Sequence, residues 1–123
     1  MDRERSFTAR ERLHKRRQYL EVYANGAKIQ CPHFVLYALE NDCGCHRLGI
    51  TVSRKIGKAV VRNRIKRRLR EIFRNNKPQS EATFDLVLNV RKSAARAAFE
   101  KLRTDFRDAL GRLERARQLQ GTP

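Results

Sequence analysis

Residues 53–74 read SRKIGKAVVRNRIKRRLREIFR, and these 22 residues hold ten Lys or Arg against one acid, Glu71. Val61, Ile65, Leu69 and Phe73 recur every four positions, and Ile72 lies seven after Ile65. At 3.6 residues per turn these five side chains fall within about a third of a helix circumference. The other side carries Asn63, Arg64, Lys66, Arg67, Arg70 and Arg74. The spacing therefore predicts one helix, over about 58–75, that packs on a core and holds cations toward something negative. A salt-bridged solvated helix carries both signs on its outer face, and this one does not.

The rest of the chain sorts around that helix. Residues 1–12 are polar and charged and read as a loose arm, with Phe7 docking on the body. Residues 13–25 read as a helix: Leu13, Leu20 and Ala24 share a side, Tyr19 and Tyr23 lie on its flank, and Asn25-Gly26 is a stop signal. Strands are expected over 27–30, 33–39 (HFVLYAL) and 47–52. In the second of these His33, Val35 and Tyr37 face one way, and Phe34, Leu36 and Ala38 the other. A loop follows over 75–83, then a buried strand over 84–90 (FDLVLNV). Ser93 is a candidate cap for a last helix with the stripe Phe99, Leu102, Phe106, Leu110 and Leu113. Residues 117–123 read as frayed. The order αβββαβα in 123 residues is that of a single α+β sandwich, with helices on one face of a small sheet and the other face partly open.

Charge bounds the partner. The chain carries 29 basic and 13 acidic residues, a formal net charge of +16. Such self-repulsion favours a polyanionic partner, with nucleic acid ahead of an anionic membrane surface. No apolar run reaches the length of a membrane span, and the N-terminus lacks the apolar stretch of a secretion signal, so the expected location is the cytoplasm. Cys31, Cys43 and Cys45 are an odd count, which argues against structural disulfides. Cys43-Gly44-Cys45-His46 has no second ligand pair at zinc spacing, and reads as a tight turn. His14 and His33 read as surface or RNA-contacting residues. There is no phosphate-binding Gly loop, no HExxH and no nucleophile elbow, and Asp85 is the only acid within a predicted strand. A protein-based nuclease centre is not expected. Backbone and shape recognition of folded RNA suits an Arg-rich helix better than insertion into a DNA groove, for which no helix-turn-helix spacing exists. Tyr19, Tyr23 and Tyr37, extended by Val35, are either half-buried packing or a platform that stacks the bases of a single strand.

The run Gly49 to Arg74, containing VSRKIGKAVVRNRIKRRLRE, resembles the signature of the bacterial ribonuclease P protein subunit. Tyr19-Leu20-Glu21-Val22-Tyr23 is similar to that family's first-helix pattern of two aromatics four apart. Phe34-Val35-Leu36-Tyr37 is similar to its central strand, and Val90-Arg91-Lys92-Ser93 to the segment before its last helix. The resemblance covers about residues 5–115. It implies an α-β sandwich with a left-handed β-α-β crossover, which general handedness rules do not predict. It also implies an accessory subunit of an endoribonuclease whose RNA partner removes the 5′ leader of precursor tRNA with divalent metal. The protein would favour precursor over mature tRNA and ease the need for high magnesium. By resemblance, Arg62, Asn63, Arg64, Lys66, Arg67, Arg68 and Arg70 face the catalytic RNA, with Ser53, Arg54, Lys55 and Lys58 leading into that surface. Tyr19, Tyr23, Val35 and Tyr37 line a cleft for the single-stranded leader. No catalytic residue and no metal site is expected in the protein; Mg2+ belongs with the RNA. The expected partners are the catalytic RNA and precursor tRNA, with no membrane and no obligate protein partner. Family members often have phenylalanine on the first helix where this chain has tyrosine, and the Cys43–Cys45 turn matches no family feature. Two other readings are a ribosomal RNA-binding protein and a basic DNA-coating protein.

Overall fold

A computed structural model describes residues 9–120, with side chains through residue 117. Its elements are α1 (Arg16–Asn25), β1 (Ala27–Gln30), β2 (Phe34–Asn41), β3 (Arg47–Thr51), α2 (Ala59–Asn75), β4 (Thr83–Val90) and α3 (Phe99–Gln120). The order αβββαβα holds. The four strands form one sheet in the order β1-β2-β4-β3. β2 pairs antiparallel with both β1 and β4, and β3 lies parallel to β4. Parallel neighbours cannot be joined by a hairpin, so α2 forms the connection from β3 to β4.

The main core lies between the sheet and α2 with α3. β2 alternates as the sequence predicts, with Phe34, Leu36 and Ala38 buried on this side. α2 contributes Ile65, Leu69, Ile72 and Phe73, all essentially fully buried, with Val61 at the margin. Full burial of such side chains stabilises by about 1.5–3 kcal/mol each, and this anchors a helix whose other face is strongly cationic. From α3 come Leu102, Phe106 and Leu113, with Ala109 added to the expected stripe and Phe99 and Leu110 only partly buried.

Several expectations are corrected. The helices do not all share one face, because α1 packs on the opposite side of the sheet, where Leu13, Val22 and Val87 form a second cluster with Tyr19, Tyr23, Tyr37 and Leu39. Within α1 the buried residue is Val22, while Leu20 is 50% exposed and Ala24 is exposed. Leu13 is not helical: its N–H donates to Leu48 O at 3.0 Å, and Arg12 bridges Leu48 in parallel, which adds this segment to the β3 edge. The Gln18 side chain then accepts from the His14 and Lys15 amides at 2.8 and 2.9 Å and starts the helix at Arg16. Residues 9–12 are thus a packed part of the expected loose arm, with Glu11 buried and paired to Lys77; Phe7 lies outside the described residues. α3 runs to Gln120, through part of the segment expected to fray. Ser93 does not cap it. Its hydroxyl donates to Pro32 O at 3.2 Å and accepts from His33 Nδ1 at 2.8 Å, tying the turn Lys92–Arg96 to the start of β2.

The Cys43–His46 segment is a turn with Gly44 at φ +80°, and all three cysteines are free thiols. His46 is structural. Its Nε2–H donates to Pro78 O at 3.0 Å, its Nδ1 accepts from the Phe84 amide at 3.1 Å, and the ring stacks on Phe84. Burial, reinforced by the nearby Lys77 charge, holds the imidazole below its ordinary 6.5. The unfolded chain therefore binds this proton more readily than the folded one. The contribution is complete above about pH 6.5 and is lost as pH falls through the lower folded value. Thermal unfolding from pH 8 to 5 is expected to show a decline that His46→Gln reduces; identical pH profiles for the two proteins would refute this assignment.

Candidate nucleic-acid interface

The cations of α2 form a three-row fan about the buried stripe. Arg62, Lys66 and Arg70 descend one flank at spacings of four, Asn63 and Arg67 stand outermost, and Arg64 and Arg68 descend the other flank. Arg62 Nε donates to Gly57 O at 3.1 Å, which holds the loop before α2 against the helix. Arg64 and Arg68 reach Ala95 O at 3.3 Å and Ala97 O at 3.4 Å, over the turn that precedes α3. Lys66 and Arg70 line a hollow of about 260 Å³ with Arg12, His14, Tyr19 and Gly49. Burial, then repulsion from Arg12, lowers the pKa of Arg70 from the ordinary arginine range. Asn63, Arg64 and Arg67 are exposed, as are Arg54, Lys55 and Lys58 at the approach to the helix. Ser53 shapes that approach by accepting from the Lys55 amide at 3.0 Å.

Glu71, the lone acid of α2, is committed to Arg74 and Asn75. Among the described residues no carboxylate pairs with Arg62, Arg64, Lys66, Arg67, Arg68 or Arg70. Such a surface binds a polyanion through its backbone and releases counterions in doing so. Asp85, the strand acid, is spent structurally: it is buried and accepts from Arg47 Nε and Nη2, both at 2.7 Å, and from Asn41 Nδ2 at 2.7 Å. No group of three or more His, Cys, Asp or Glu is placed to hold a metal ion among the described residues.

The second part of the site is the sheet face beneath α1. Strand register arranges this face in rows that cross all four strands. Lys28, Tyr37, Val87 and Gly49 make one row, and Gln30, Val35, Asn89 and Thr51 the next. α1 covers the first row. Val22 packs on Val87, and the Tyr23 ring meets Tyr37 edge-on at 4.8 Å and 80°. Lys28 Nζ lies 5.9 Å from the Tyr37 ring centroid. The second row is more open, with Gln30 and Thr51 exposed and Val35 and Asn89 half-buried. Tyr23 reaches into it, with its hydroxyl 3.0 Å from Asn89 Oδ1 and 3.2 Å from Thr51 Oγ1. Tyr23, Val35 and Tyr37 therefore come together as expected. Tyr19 belongs to the neighbouring hollow: its hydroxyl donates to Leu13 O at 3.3 Å, and burial pushes its pKa above the ordinary 10.0. Lys28, Gln30, Asn89 and Thr51 are the residues of this face that sequence reasoning missed. Their polar side chains alternate with apolar ones along β1, β3 and β4, but only the register aligns them.

Gly49 makes the Tyr19 position possible. A Cβ there would lie 2.6 Å from Tyr19 Cε2 and Cζ. Gly49→Ala is expected to displace the ring and cost about 1–3 kcal/mol by overpacking. Urea unfolding should show the loss, and Tyr19→Ala in the same chain should recover most of it. No recovery in the double variant would place the strain elsewhere.

The ribonuclease P family model matches residues 7–114 of the chain. The chain is 42% identical over 113 residues to the ribonuclease P protein component of Thermotoga maritima, across 89% of this chain and 97% of that one. It is 40% identical over 111 residues to the corresponding component of Geobacter sp. strain M21, across 89% and 94%. Among solved structures, the ribonuclease P protein from Thermotoga maritima superposes with a TM-score of 0.74 at 40% identity, covering 83% of this chain and 96% of that one. A Staphylococcus aureus RNase P protein mutant with defective mRNA degradation activity superposes at 0.76 with 30% identity, covering 85% and 88%.

Proposed function

We propose, from the premise that this chain belongs to the ribonuclease P protein family, that it is the protein partner of a catalytic RNA and helps that RNA remove the 5′ leader of precursor tRNA. The observation that carries this reading is the adjacency of two surfaces. A core-anchored fan of cations, with no carboxylate partner among the described residues, stands beside the aromatic, polar sheet face, and Lys66 and Arg70 share a hollow with Tyr19 of α1 and Gly49 of β3. The fan, from Lys58 to Arg70 with Ser53, Arg54 and Lys55 at its foot, binds the catalytic RNA. Arginine donates paired hydrogen bonds to phosphate, and shields the repulsion between RNA segments where divalent metal must collect. The catalytic RNA holds the Mg2+. The cleft of Tyr23, Val35 and Tyr37 takes the leader, with Tyr19 on its flank. The leader is the part that distinguishes precursor from mature tRNA, so a preference for precursor needs contact with it. Stacking on aromatic rings holds a single strand while reading little of its sequence. No described helix is long and apolar enough to cross a membrane, and the working compartment in this reading is the cytoplasm.

The test is cleavage of a precursor tRNA by a bacterial ribonuclease P RNA at low magnesium, with and without this protein. Correct 5′ ends that require both components are the expected result. Tight RNA binding without stimulation would redirect the assignment to a ribosomal or general RNA-binding role.

A further inference from the structure

We infer that Arg16, in the first turn of α1, holds a backbone phosphate of the single-stranded leader where the leader crosses the β3 edge into the cleft. The inference rests on the proposal that the cleft holds the leader. α1 crosses the sheet from β3 toward β2: the Tyr19 ring lies against Gly49 of β3, and Gly26, just past the helix, abuts Ala38 of β2. Arg16, Tyr19 and Tyr23 are spaced i, i+3 and i+7, which puts them within about 60° of one another around the helix. The two tyrosines fix where that face points. Tyr19 lies in the hollow against Gly49, and Tyr23 reaches Thr51 and Asn89. Arg16 therefore stands one turn further along the same face, at the β3 edge, beside the hollow lined by His14, Tyr19, Lys66 and Arg70.

The charge on Arg16 serves nothing within the described chain. The side chain is exposed, and among the described residues no carboxylate pairs with it. The first turn of α1 has no acid, and its neighbours Lys15 and Arg17 are cations too. A cation at a helix start opposes the helix dipole, so the helix itself gains nothing from it. A strand whose bases stack on the Tyr23 and Tyr37 rings carries its phosphates along the rim of the cleft. At the β3 end that rim is flanked by Arg16 from α1 and by Lys66 and Arg70 from α2. A guanidinium there donates paired hydrogen bonds to a phosphate. Arg17 provides the contrast. It is exposed, carries the same charge and has no carboxylate partner among the described residues, but it lies about 100° round the helix, turned away from both tyrosines.

The experiment measures the binding of precursor and mature tRNA, over a range of salt, to the holoenzyme assembled with a bacterial ribonuclease P RNA. Arg16→Ala should weaken precursor binding by about three- to tenfold, the range of an exposed charge-assisted contact. It should also lower the slope of log affinity against log salt by about 0.7, the value for one phosphate of a single strand. Mature tRNA, which lacks the leader, should bind as before, and so should the catalytic RNA. Arg17→Ala should leave precursor affinity and slope close to wild type, and Arg16→Lys should restore the slope by restoring the charge. Alanine suits an exposed helix position, so a loss of binding does not trace to unfolding. No loss in Arg16→Ala, an equal loss in Arg17→Ala, an equal loss for mature tRNA, or a weaker hold on the catalytic RNA would each overturn the inference. Failure of the cleft reading is separately visible: Tyr37→Ala would then leave the preference for precursor over mature tRNA intact.

Discussion

Replacing Asp85 by alanine is expected to destabilise the protein by about 3–5 kcal/mol, a large part of the roughly 5–15 kcal/mol that holds a domain folded. The Asp85 carboxylate gathers three strands at one end of the sheet. It sits on β4, accepts two hydrogen bonds from Arg47 on β3, and accepts a third from Asn41 on β2. Asn41 in turn accepts from Thr83 Oγ1 at 2.6 Å and from the Cys43 amide at 3.1 Å, so the β2–β3 turn hangs on the same network. The side chains of Arg47 and Asp85 are only 21% and 9% exposed. Removing the carboxylate strands a guanidinium that water reaches poorly, in a chain already at +16. Replacing both partners, as Arg47→Met with Asp85→Leu, removes the stranded charge and should recover most of the loss. Urea denaturation of the single and double variants decides it. A single variant within 1 kcal/mol of wild type would show that the network contributes little.

The second large effect is on binding. Arg64→Ala with Arg67→Ala should weaken binding to the catalytic RNA by at least about tenfold and lower the slope of log affinity against log salt by about 1–2. Both side chains are exposed, and among the described residues they make a single hydrogen bond, the long one from Arg64 to Ala95 O. Stability should therefore move by no more than about 0.5 kcal/mol, as for ordinary surface positions. The pair of variants separates the two roles of the molecule: Asp85→Ala changes unfolding, and the arginine pair changes the salt slope. An unchanged slope would remove α2 from the RNA contact, whatever happened to affinity.

The α2 reading was legible because it is local. Side-chain direction along a helix follows from backbone geometry, so Val61, Ile65, Leu69, Ile72 and Phe73 could only turn one way, and the cations the other. The alternation of β2 was legible for the same reason, as period two is a property of the strand alone. The resemblance carried by Gly49 to Arg74 pointed to the family before any tertiary contact was known. α1 was misread because the stretch 13–25 offers two competing stripes. Leu13, Leu20 and Ala24 compete there with Tyr19, Val22 and Tyr23, and propensity does not choose between them. The choice fell to packing, once Leu13 joined the β3 edge and Val87 presented a seat for Val22. The composition of the cleft was hidden for a deeper reason. Gln30, Val35, Asn89 and Thr51 come from four strands, and no local preference sets the register that puts them in one row. By itself, then, the sequence determined which helix carries the cationic face, since that depends on a repeat within a single element. Only the tertiary structure decided which polar groups meet across the sheet, because strand pairing is settled by burying both faces at once.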